Sequence, residues 1–246
     1  MKEVGWFRDM RFRSLSSKPT FLSVTIGAII PRYEICSRIL ICYNQGMNSF
    51  SSQIQKLEHD DNNTYEIKKG KTPIIITSAH GIIQKRRNGK FKLAEPYTRG
   101  IAKYVSRKTN CHYLIKNEDT GTDSNKINRD DFKIILNDLI LKNKIKMMID
   151  LHGAKKERDF DIEIGTLSGK MVRQETISRL INCLKEVGIN NIVLDDPFKG
   201  GQISQMIYNN TGIECIQLEI NYNYRNIRKI NNLKKICSAL VRFIQT

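Results

Sequence analysis

Proline, histidine and closely spaced cysteines are scarce in this chain. Only 5 of its 246 residues are proline and 4 are histidine, which excludes proline-rich disordered and collagen-like sequences. The cysteines lie far apart without a C-x-x-C pair, so the sequence resembles neither a zinc ribbon nor a disulfide-rich secreted domain. They are Cys36, Cys42, Cys111, Cys183, Cys215 and Cys237. This spacing favours a reducing compartment, and we predict a cytoplasmic protein.

Long hydrophobic runs are also missing. No stretch reaches the ~18 consecutive apolar residues that a membrane-spanning helix needs. The nearest approach, residues 21–30, follows a basic segment as in a signal peptide but lacks a convincing small-x-small cleavage site. We therefore expect no membrane partner. With 40% hydrophobic and 27% charged residues, the chain has a globular composition, and its length allows one large core.

Acidic residues are outnumbered by basic ones. The formal net charge is +16, a value typical of proteins that bind nucleic acids or anionic membranes. The Lys and Arg residues are spread along the whole chain, however, and no helix-turn-helix, zinc finger or basic stripe with interleaved aromatic residues accompanies them. Nucleic acid is therefore not the expected partner, although a basic nucleic-acid-binding or non-catalytic protein remains an alternative.

The first 46 residues lack the regular pattern of the rest. They show neither helical nor strand periodicity, and Met47 opens a more ordinary sequence. We predict that residues 1–46 are an N-terminal extension, either poorly ordered or the product of an upstream start codon, and that residues 47–246 form the main domain. The alternative is an extra strand and helix at the edge of that domain.

Strands and helices are predicted to alternate from residue 72 onwards. Apolar runs of strand length occur at residues 72–78, 112–115, 146–151, 191–194 and 214–220, and patterns of helical period at residues 95–108, 131–142, 173–187, 203–209 and 230–244. Such alternation predicts an α/β fold, a single domain with a mixed, largely parallel sheet flanked by helices on both faces.

Two of the four histidines follow predicted strands. His80 and His152 each come just after a buried strand, and each precedes a glycine. Ligands of such sheets bind beyond the carboxyl ends of the strands, and imidazole is the commonest metal ligand in proteins. The sequence therefore predicts a metal site at His80 and His152, with Asp150 orienting the site from behind. A solvated turn residue is the alternative for each histidine.

A catalytic zinc site needs a third protein ligand. Glu95 is our choice, because it is predicted at the start of the helix after the long 81–94 loop and can return to the same edge of the sheet. Its alternative role is to stabilise the dipole of that helix. Glu118, Asp119 and Asp123 are the rival ligands.

Two loops offer groups for binding a ligand. Asn128 and Arg129 precede a predicted helix, and a guanidinium can hold a substrate carboxylate in a two-bond fork. An N-capping turn is the alternative for this loop. Gly200 and Gly201 allow a ligand to approach the backbone closely, although this signal alone is weak.

The last predicted strand contains an acid. Glu219 shares one face of the strand with Gln217, and an acid in an otherwise apolar strand is costly unless it is paired or functional. Glu219 is therefore a candidate general base that deprotonates a metal-bound water. A salt bridge to a lysine is the alternative.

Five short motifs occur in order along residues 72–246. They are Ser-Ala-His-Gly at 78–81, Asn-Arg at 128–129, Asp-Leu-His-Gly at 150–153, Phe-Lys-Gly-Gly at 198–201 and Gln-Leu-Glu-Ile-Asn at 217–221. In order and spacing they resemble the N-formylglutamate amidohydrolase family, relatives of the zinc carboxypeptidases. The resemblance implies a carboxypeptidase-like hydrolase fold and a catalytic, amidohydrolase-like domain over residues 47–246.

The resemblance also implies roles for single residues. His80 and His152 would be zinc ligands and Glu219 the general base. Asn128 and Arg129 would contact the substrate carboxylate and carbonyl, and Arg129 is counted with Glu219 as catalytic. We also predict that Gly200, Gly201 and Gln217 bind the substrate. One departure concerns the H-x-x-E ligand pair of the carboxypeptidases, since Ile83 stands three residues after His80. Glu95 is inferred to replace the missing glutamate.

The implied activity is hydrolysis of the amide of a small anionic N-acyl amino acid, with one zinc ion as cofactor. N-formylglutamate, which yields formate and glutamate, is the expected type of substrate. A peptidase or a poly-γ-glutamate hydrolase on the same scaffold is one alternative, and the basic nucleic-acid-binding or non-catalytic protein is another. Metal content separates the hydrolases from the latter, and a panel of substrates separates the hydrolases from one another.

Overall fold

A seven-stranded mixed sheet is the main feature of the described part of the chain. The computed structural model describes residues 50–59, 63–86 and 88–246, so the predicted extension at residues 1–46 lies outside the described residues. The described residues contain nine strands: β1 (Tyr65–Lys68), β2 (Thr72–Ser78), β3 (Gln84–Lys85), β4 (Phe91–Lys92), β5 (Cys111–Lys116), β6 (Met147–Ala154), β7 (Ile162–Gly165), β8 (Ile192–Leu194) and β9 (Glu214–Asn221). Strands β3 and β4 pair separately as a hairpin.

The order of strands in the main sheet is β1-β5-β2-β6-β9-β7-β8. Four neighbouring strands of this sheet, β5, β2, β6 and β9, run parallel to one another. Strand β1 is antiparallel to β5, and β7 is antiparallel to β9. The carboxyl ends of β2, β6 and β9 therefore meet at one edge, as expected where a parallel sheet binds a ligand.

Six helices cover the sheet within the described residues. They are α1 (Phe50–His59), α2 (Thr98–Thr109), α3 (Asp131–Lys142), α4 (Gln174–Glu186), α5 (Gln202–Thr211) and α6 (Ile230–Gln245). Helix α6 shows the reason for their placement, because its buried Leu233, Ile236, Leu240 and Phe243 recur at helical spacing and form one apolar stripe.

Two apolar cores lie on opposite faces of the sheet. The larger contains buried residues of α1, α2, α4 and α6, and the smaller contains those of α3 and α5. Central strands alternate between them, so that Ile76 belongs to the larger core and its neighbour Ile75 to the smaller. The predicted fold class is confirmed: a single α/β domain with a largely parallel sheet between two helical layers.

Two predicted boundaries near the site are wrong. The helix predicted from residue 95 begins at Thr98, because Tyr97 adopts a left-handed conformation with φ of 68° that no helix can continue through. Glu95 therefore lies in the preceding loop. Strand β6 does not end at Leu151 but continues to Ala154, paired with β9, which places His152 within the strand.

Every helix in the part of the chain that the structure describes is too short or too polar to cross a bilayer.

Candidate active site

Strands β2, β6 and β9 bring the candidate site residues together. His80 follows β2 by two residues, and His152 in β6 lies directly opposite Glu219 in β9. Glu95 follows the β3–β4 hairpin and lies next to His80, since its backbone N–H donates to the carbonyl of His80 over 2.8 Å. The loop 81–94 thus folds back as the sequence analysis expected.

Three buried side chains converge at this edge. His80 Nδ1 lies 3.1 Å from His152 Nδ1, while Glu95 places one oxygen 3.6 Å from His80 Nδ1 and the other 3.3 Å from His152 Nδ1. Donor atoms of all three residues lie within 4.8 Å of one another. They form a candidate metal site.

The outer nitrogens of both histidines are held by carboxylates. His80 Nε2 contacts Asp123 Oδ1 and His152 Nε2 contacts Asp150 Oδ2, each at 3.0 Å. Asp150 is fixed in turn by the Thr77 hydroxyl, which donates to it over 2.6 Å. Such partners keep the proton on the outer nitrogen and direct the lone pair of the inner nitrogen to the metal position.

The spacing of the inner atoms fits a small tetrahedral cation. Ligand bonds of about 2.0–2.1 Å place the ligand atoms of a tetrahedral site about 3.3–3.4 Å apart. The distances from His152 Nδ1 to His80 Nδ1 and to Glu95 Oε2, 3.1 and 3.3 Å, lie close to that value, and the other Glu95 oxygen lies 3.6 Å from His80 Nδ1. Two imidazole lone pairs facing each other repel unless a positive charge lies between them, so the donor set suits a divalent metal.

Charge inside the cluster is strongly stabilised. Burial by itself raises the pKa of Glu95, but His152 and His80 outweigh burial and bring that pKa well below its usual range. Burial lowers the pKa of His152, and the carboxylates of Asp150 and Glu95 reverse the effect and raise it well above normal. The site therefore attracts positive charge.

Glu219 differs from Glu95 in its surroundings. Its side chain is buried, and burial raises its pKa against the opposing effect of His152. Gln217 Nε2 donates to Glu219 Oε1 over 2.8 Å, and Gln217 Oε1 accepts the backbone N–H of Gly201. Glu219 is thus a basic carboxylate held beside the histidines and linked to the loop that carries Gly201.

One cavity joins these groups. Its volume is about 830 Å³, and its lining includes His80, Glu95, His152, Gln217 and Glu219. The Phe198-Lys199-Gly200-Gly201 loop forms part of its wall. Six basic side chains also line it: Arg86, Lys92, Lys126, Lys155, Arg158 and Lys199. A cavity of this size and charge suits an anionic small molecule.

Asn128 and Arg129 line an adjoining pocket. This second pocket shares Arg86, Asp123 and Lys126 with the main cavity, but its lining does not include the three candidate metal ligands. Asp130, the last residue of this loop, caps the following helix, since its side chain accepts the N–H of Lys133, so the loop does contain the capping turn given above as its alternative. The structure therefore places Asn128 and Arg129 beside the main cavity.

The rival metal ligands have other partners. Glu118 accepts the hydroxyl of Thr64, and Asp119 accepts the backbone N–H of Lys85. Asp123 stands behind His80, where Arg86 Nε also contacts it at 3.0 Å. Burial raises the pKa of Asp123, but His80 and Arg86 outweigh burial and lower that pKa strongly.

Sequence reasoning missed three residues at the site. Lys92 Nζ donates to Glu95 over 2.6 Å, and Asn125 Nδ2 lies 3.3 Å from His152 Nε2. Glu163 in β7 lies directly opposite Glu219 and is fully buried. The position of Glu163 between two isoleucines could have indicated a buried acid. Nothing in the sequence around Lys92 or Asn125 indicates that they lie at the site.

One protein-family model matches part of the chain. Residues 136–224 match the model of the N-formylglutamate amidohydrolase family, a segment that includes His152, Gln217 and Glu219. This match supports the family and the hydrolase class expected from the motifs. None of the curated proteins matches the chain.

Solved structures share the fold at low sequence identity. An N-formylglutamate amidohydrolase from Ralstonia eutropha JMP134 is 12% identical, with 74% of this chain and 97% of that chain covered and a TM-score of 0.56. A gene product from Agrobacterium tumefaciens is 10% identical, with 75% and 94% covered and a TM-score of 0.56. At these identities the likeness supports the fold alone.

Proposed function

Because the chain matches the N-formylglutamate amidohydrolase family, as its motifs predicted, we propose that it is a zinc-dependent amidohydrolase of small N-acyl amino acids. The observation that carries the proposal is the convergence of His80, Glu95 and His152 in the cavity that also contains Glu219. This combination supplies a metal-binding set and a general base at one place.

His80, Glu95 and His152 would hold the zinc ion, with Asp123 and Asp150 orienting the two imidazoles. When bound, the ion supplies a Lewis acid for the amide carbonyl and lowers the pKa of its water toward ~7. Three protein ligands leave a fourth position open for that chemistry. The site is therefore proposed to bind a single zinc ion.

Glu219 is assigned the proton transfers. Its carboxylate takes a proton from the attacking water and returns it to the nitrogen of the leaving amine. Burial supports this role because it raises the pKa of Glu219 and makes it a better base. The hydrogen bond from Gln217 keeps the carboxylate oriented.

The substrate is proposed to be anionic, of the N-formylglutamate type. Lys126, Lys155, Arg158 and Lys199 line the cavity without an ion-pair partner among the described residues. Asn128 and Arg129, in the adjoining pocket, are proposed to hold a distal carboxylate, and Gly200 and Gly201 to contact the substrate backbone.

A cytoplasmic location remains part of the proposal. Cys111, Cys183, Cys215 and Cys237 are all buried free thiols, which agrees with a reducing compartment.

The test is metal analysis of the purified protein together with a substrate panel. We expect one equivalent of zinc and release of formate from N-formylglutamate, with His152→Ala abolishing both. His112→Ala is the matched control, since this buried histidine has no donor in the cluster. Cleavage only of peptides or poly-γ-glutamate would move the protein to those activities, and a metal-free protein without hydrolase activity would refute the proposal.

A further inference from the structure

We propose that Lys92 is a catalytic residue that stabilises the negative charge formed on the amide oxygen of the substrate. The inference rests on the proposed amidohydrolase function. Lys92 lies in β4 of the hairpin, and its Nζ donates to Glu95 Oε1 over 2.6 Å. It lines the same cavity as His80, His152 and Glu219.

Lys92 contacts one candidate metal ligand, and its charge reaches the candidate base. Through Glu95 its ammonium touches the candidate metal cluster. Its charge also acts on Glu219, where it opposes the rise in pKa that burial causes. A substrate carbonyl attacked by water next to Glu219 therefore presents its oxygen within the field of this ammonium.

The other cations of the cavity are less suited to this role. Arg86 is bound to Asp123 behind His80, and its side chain is 36% exposed. Lys126, Lys155, Arg158 and Lys199 lie nearer to solvent, whereas the Lys92 side chain is only 18% exposed. Shielding from water strengthens an electrostatic contact, so Lys92 is the cation whose charge has the greatest effect.

Arg129 does not replace Lys92. The adjoining pocket that contains Arg129 includes none of His80, Glu95, His152 and Glu219. A cation that polarises the reacting carbonyl has to share the cavity with the general base, and Lys92 meets this condition.

In the proposed step, water adds to the substrate carbonyl while Lys92 stabilises its oxygen. The water oxygen bonds to the carbonyl carbon, its proton passes to Glu219, and the π electron pair of the carbonyl moves onto the oxygen. Lys92 donates an N–H bond to this oxygen and keeps its protons. When the carbonyl forms again, the carbon–nitrogen bond breaks and the amine takes the proton from Glu219. The bond from Lys92 is strongest while the oxygen is charged, which lowers the barrier.

A structural role for Lys92 makes a different prediction. If Lys92 only positions Glu95, its loss would weaken metal binding along with activity. A role on the substrate oxygen leaves metal binding intact, because removal of the ammonium also removes a competitor for the Glu95 carboxylate.

The experiment compares Lys92→Gln and Lys92→Arg with Lys90→Gln, an exposed lysine of the same hairpin outside the cavity. For Lys92→Gln we expect one equivalent of metal, a KM within about twofold of wild type, and a kcat lower by roughly 10²–10³, the effect of removing one donor to an oxyanion. Lys92→Arg should recover part of the loss, and Lys90→Gln should equal wild type.

A second readout does not depend on turnover. In the metal-free protein, a phosphonate that imitates the tetrahedral oxyanion should bind Lys92→Gln at least about tenfold more weakly than wild type, while glutamate binding changes little. Unchanged kcat, loss of metal together with kcat, or equal phosphonate affinities would overturn the role of Lys92. A wild-type protein inert toward every amide would refute the proposed function instead, and phosphonate binding would still decide the role of Lys92.

Discussion

Three buried carboxylates near the cavity differ in basicity because their neighbours differ. Glu95 faces two imidazoles, and its pKa falls well below normal despite burial. For Glu219, the nearby His152 offsets only part of the effect of burial, so the pKa of Glu219 is raised. Glu163 has the backbone N–H of Phe198 as its partner and one oxygen without any, and burial together with the nearby Glu219 raises its pKa to about 7. The same side-chain chemistry thus suits a candidate metal ligand, a candidate base and a buried acid.

Glu219→Gln tests the base directly. The amide keeps the shape of the side chain but cannot accept a proton, so kcat should fall by roughly 10²–10⁴. Zinc content and melting temperature should stay near those of wild type. Kinetics with N-formylglutamate and elemental analysis measure the two properties. An unchanged kcat would remove Glu219 from the mechanism, and a loss of zinc would make it a ligand.

Glu163→Gln tests the buried acid through the pH dependence of stability. The native state keeps the Glu163 proton up to about pH 7, whereas an unfolded glutamate loses it near pH ~4.3. Unfolding free energy therefore falls as pH rises between these values and stays lower above pH 7. In wild type, the unfolding free energy should decrease between pH 5 and pH 8 by an amount on the order of 1–3 kcal/mol. Thermal unfolding of the variant at the same two pH values should not show this decrease.

Glu214→Gln is the control for that measurement. Burial raises the pKa of Glu214, but its contacts with Arg173 outweigh burial and lower the pKa. Glu214 therefore stabilises the fold at neutral pH and loses this effect as pH falls. Its replacement should lower stability at pH 8, opposite in sign to Glu163→Gln. Equal pH profiles for Glu163→Gln and wild type would show that Glu163 is ionised throughout.

At the scale of elements, the loop 195–201 is held by hydrogen bonds to side chains, and its residues 197–201 line the cavity. Asp195 accepts the backbone N–H groups of Thr166 and Ser168 over 2.6 and 3.0 Å. Farther along, Glu163 holds the N–H of Phe198, and Gln217 holds that of Gly201. Three side chains thus fix a loop that has no regular secondary structure.

Gly165→Ala tests this wall. A Cβ at Gly165 would lie 2.5 Å from the backbone N of Gly200 and 2.9 Å from the carbonyl O of Phe198, so the loop has to move. We expect a KM for N-formylglutamate higher by about tenfold and a destabilisation of about 1–3 kcal/mol from overpacking. Steady-state kinetics and thermal unfolding measure these changes.

Gly169→Ala is the control, because it strains the backbone without pushing the loop 195–201 aside. Gly169 has φ of +80°, but a Cβ added at this residue would meet no atom within 4 Å, so this variant should lose stability while KM stays unchanged. If both variants kept the wild-type KM, the loop 195–201 would have no part in substrate binding.

Elements with a strong local signal could be predicted from the sequence. The strand at residues 72–78 and the helix at residues 131–142 have the predicted bounds, because apolar β-branched runs and the Asp130 cap are local features. Strands β1 and β7 and the β3–β4 hairpin were missed. They are short and stabilised by pairing with distant segments, as β7 is by β9, and such pairing is not visible in local periodicity.

The site was predictable to a similar extent. His80, His152 and Glu219 stand out because polar residues near buried strands are unusual, and the structure brings them together with Glu95. Lys92 and Asn125 carry no such signal, since one is among many lysines and the other lies in a polar loop. Their place beside the cluster depends on how the loops fold back, which involves contacts between residues far apart in sequence.

At the scale of the whole molecule, the described core is closed by its own helices. Helix α1 contributes the fully buried Ile54 to the larger core, so the boundary expected at Met47 leaves every described element intact. A chain of residues 47–246 should therefore stay soluble and melt within a few degrees of the full chain. Thermal unfolding of both chains checks this, and an insoluble shorter chain would show that residues 1–46 cover an apolar face.

Metal removal should destabilise the whole molecule, because the candidate ligands come from β6 and from the segments that follow β2 and the hairpin. A metal present at 100 times its dissociation constant adds about 2.7 kcal/mol to the unfolding free energy. For a protein of this size, each kcal/mol corresponds to roughly 2–4 °C. Adding a chelator should therefore lower the melting temperature by roughly 5–11 °C. His152→Ala should not respond to the chelator, whereas His59→Ala in α1, which has no donor in the cluster, should respond fully. A wild-type melting temperature unaffected by the chelator in protein shown to have lost its metal would mean that the three ligands do not link their segments through a bound ion.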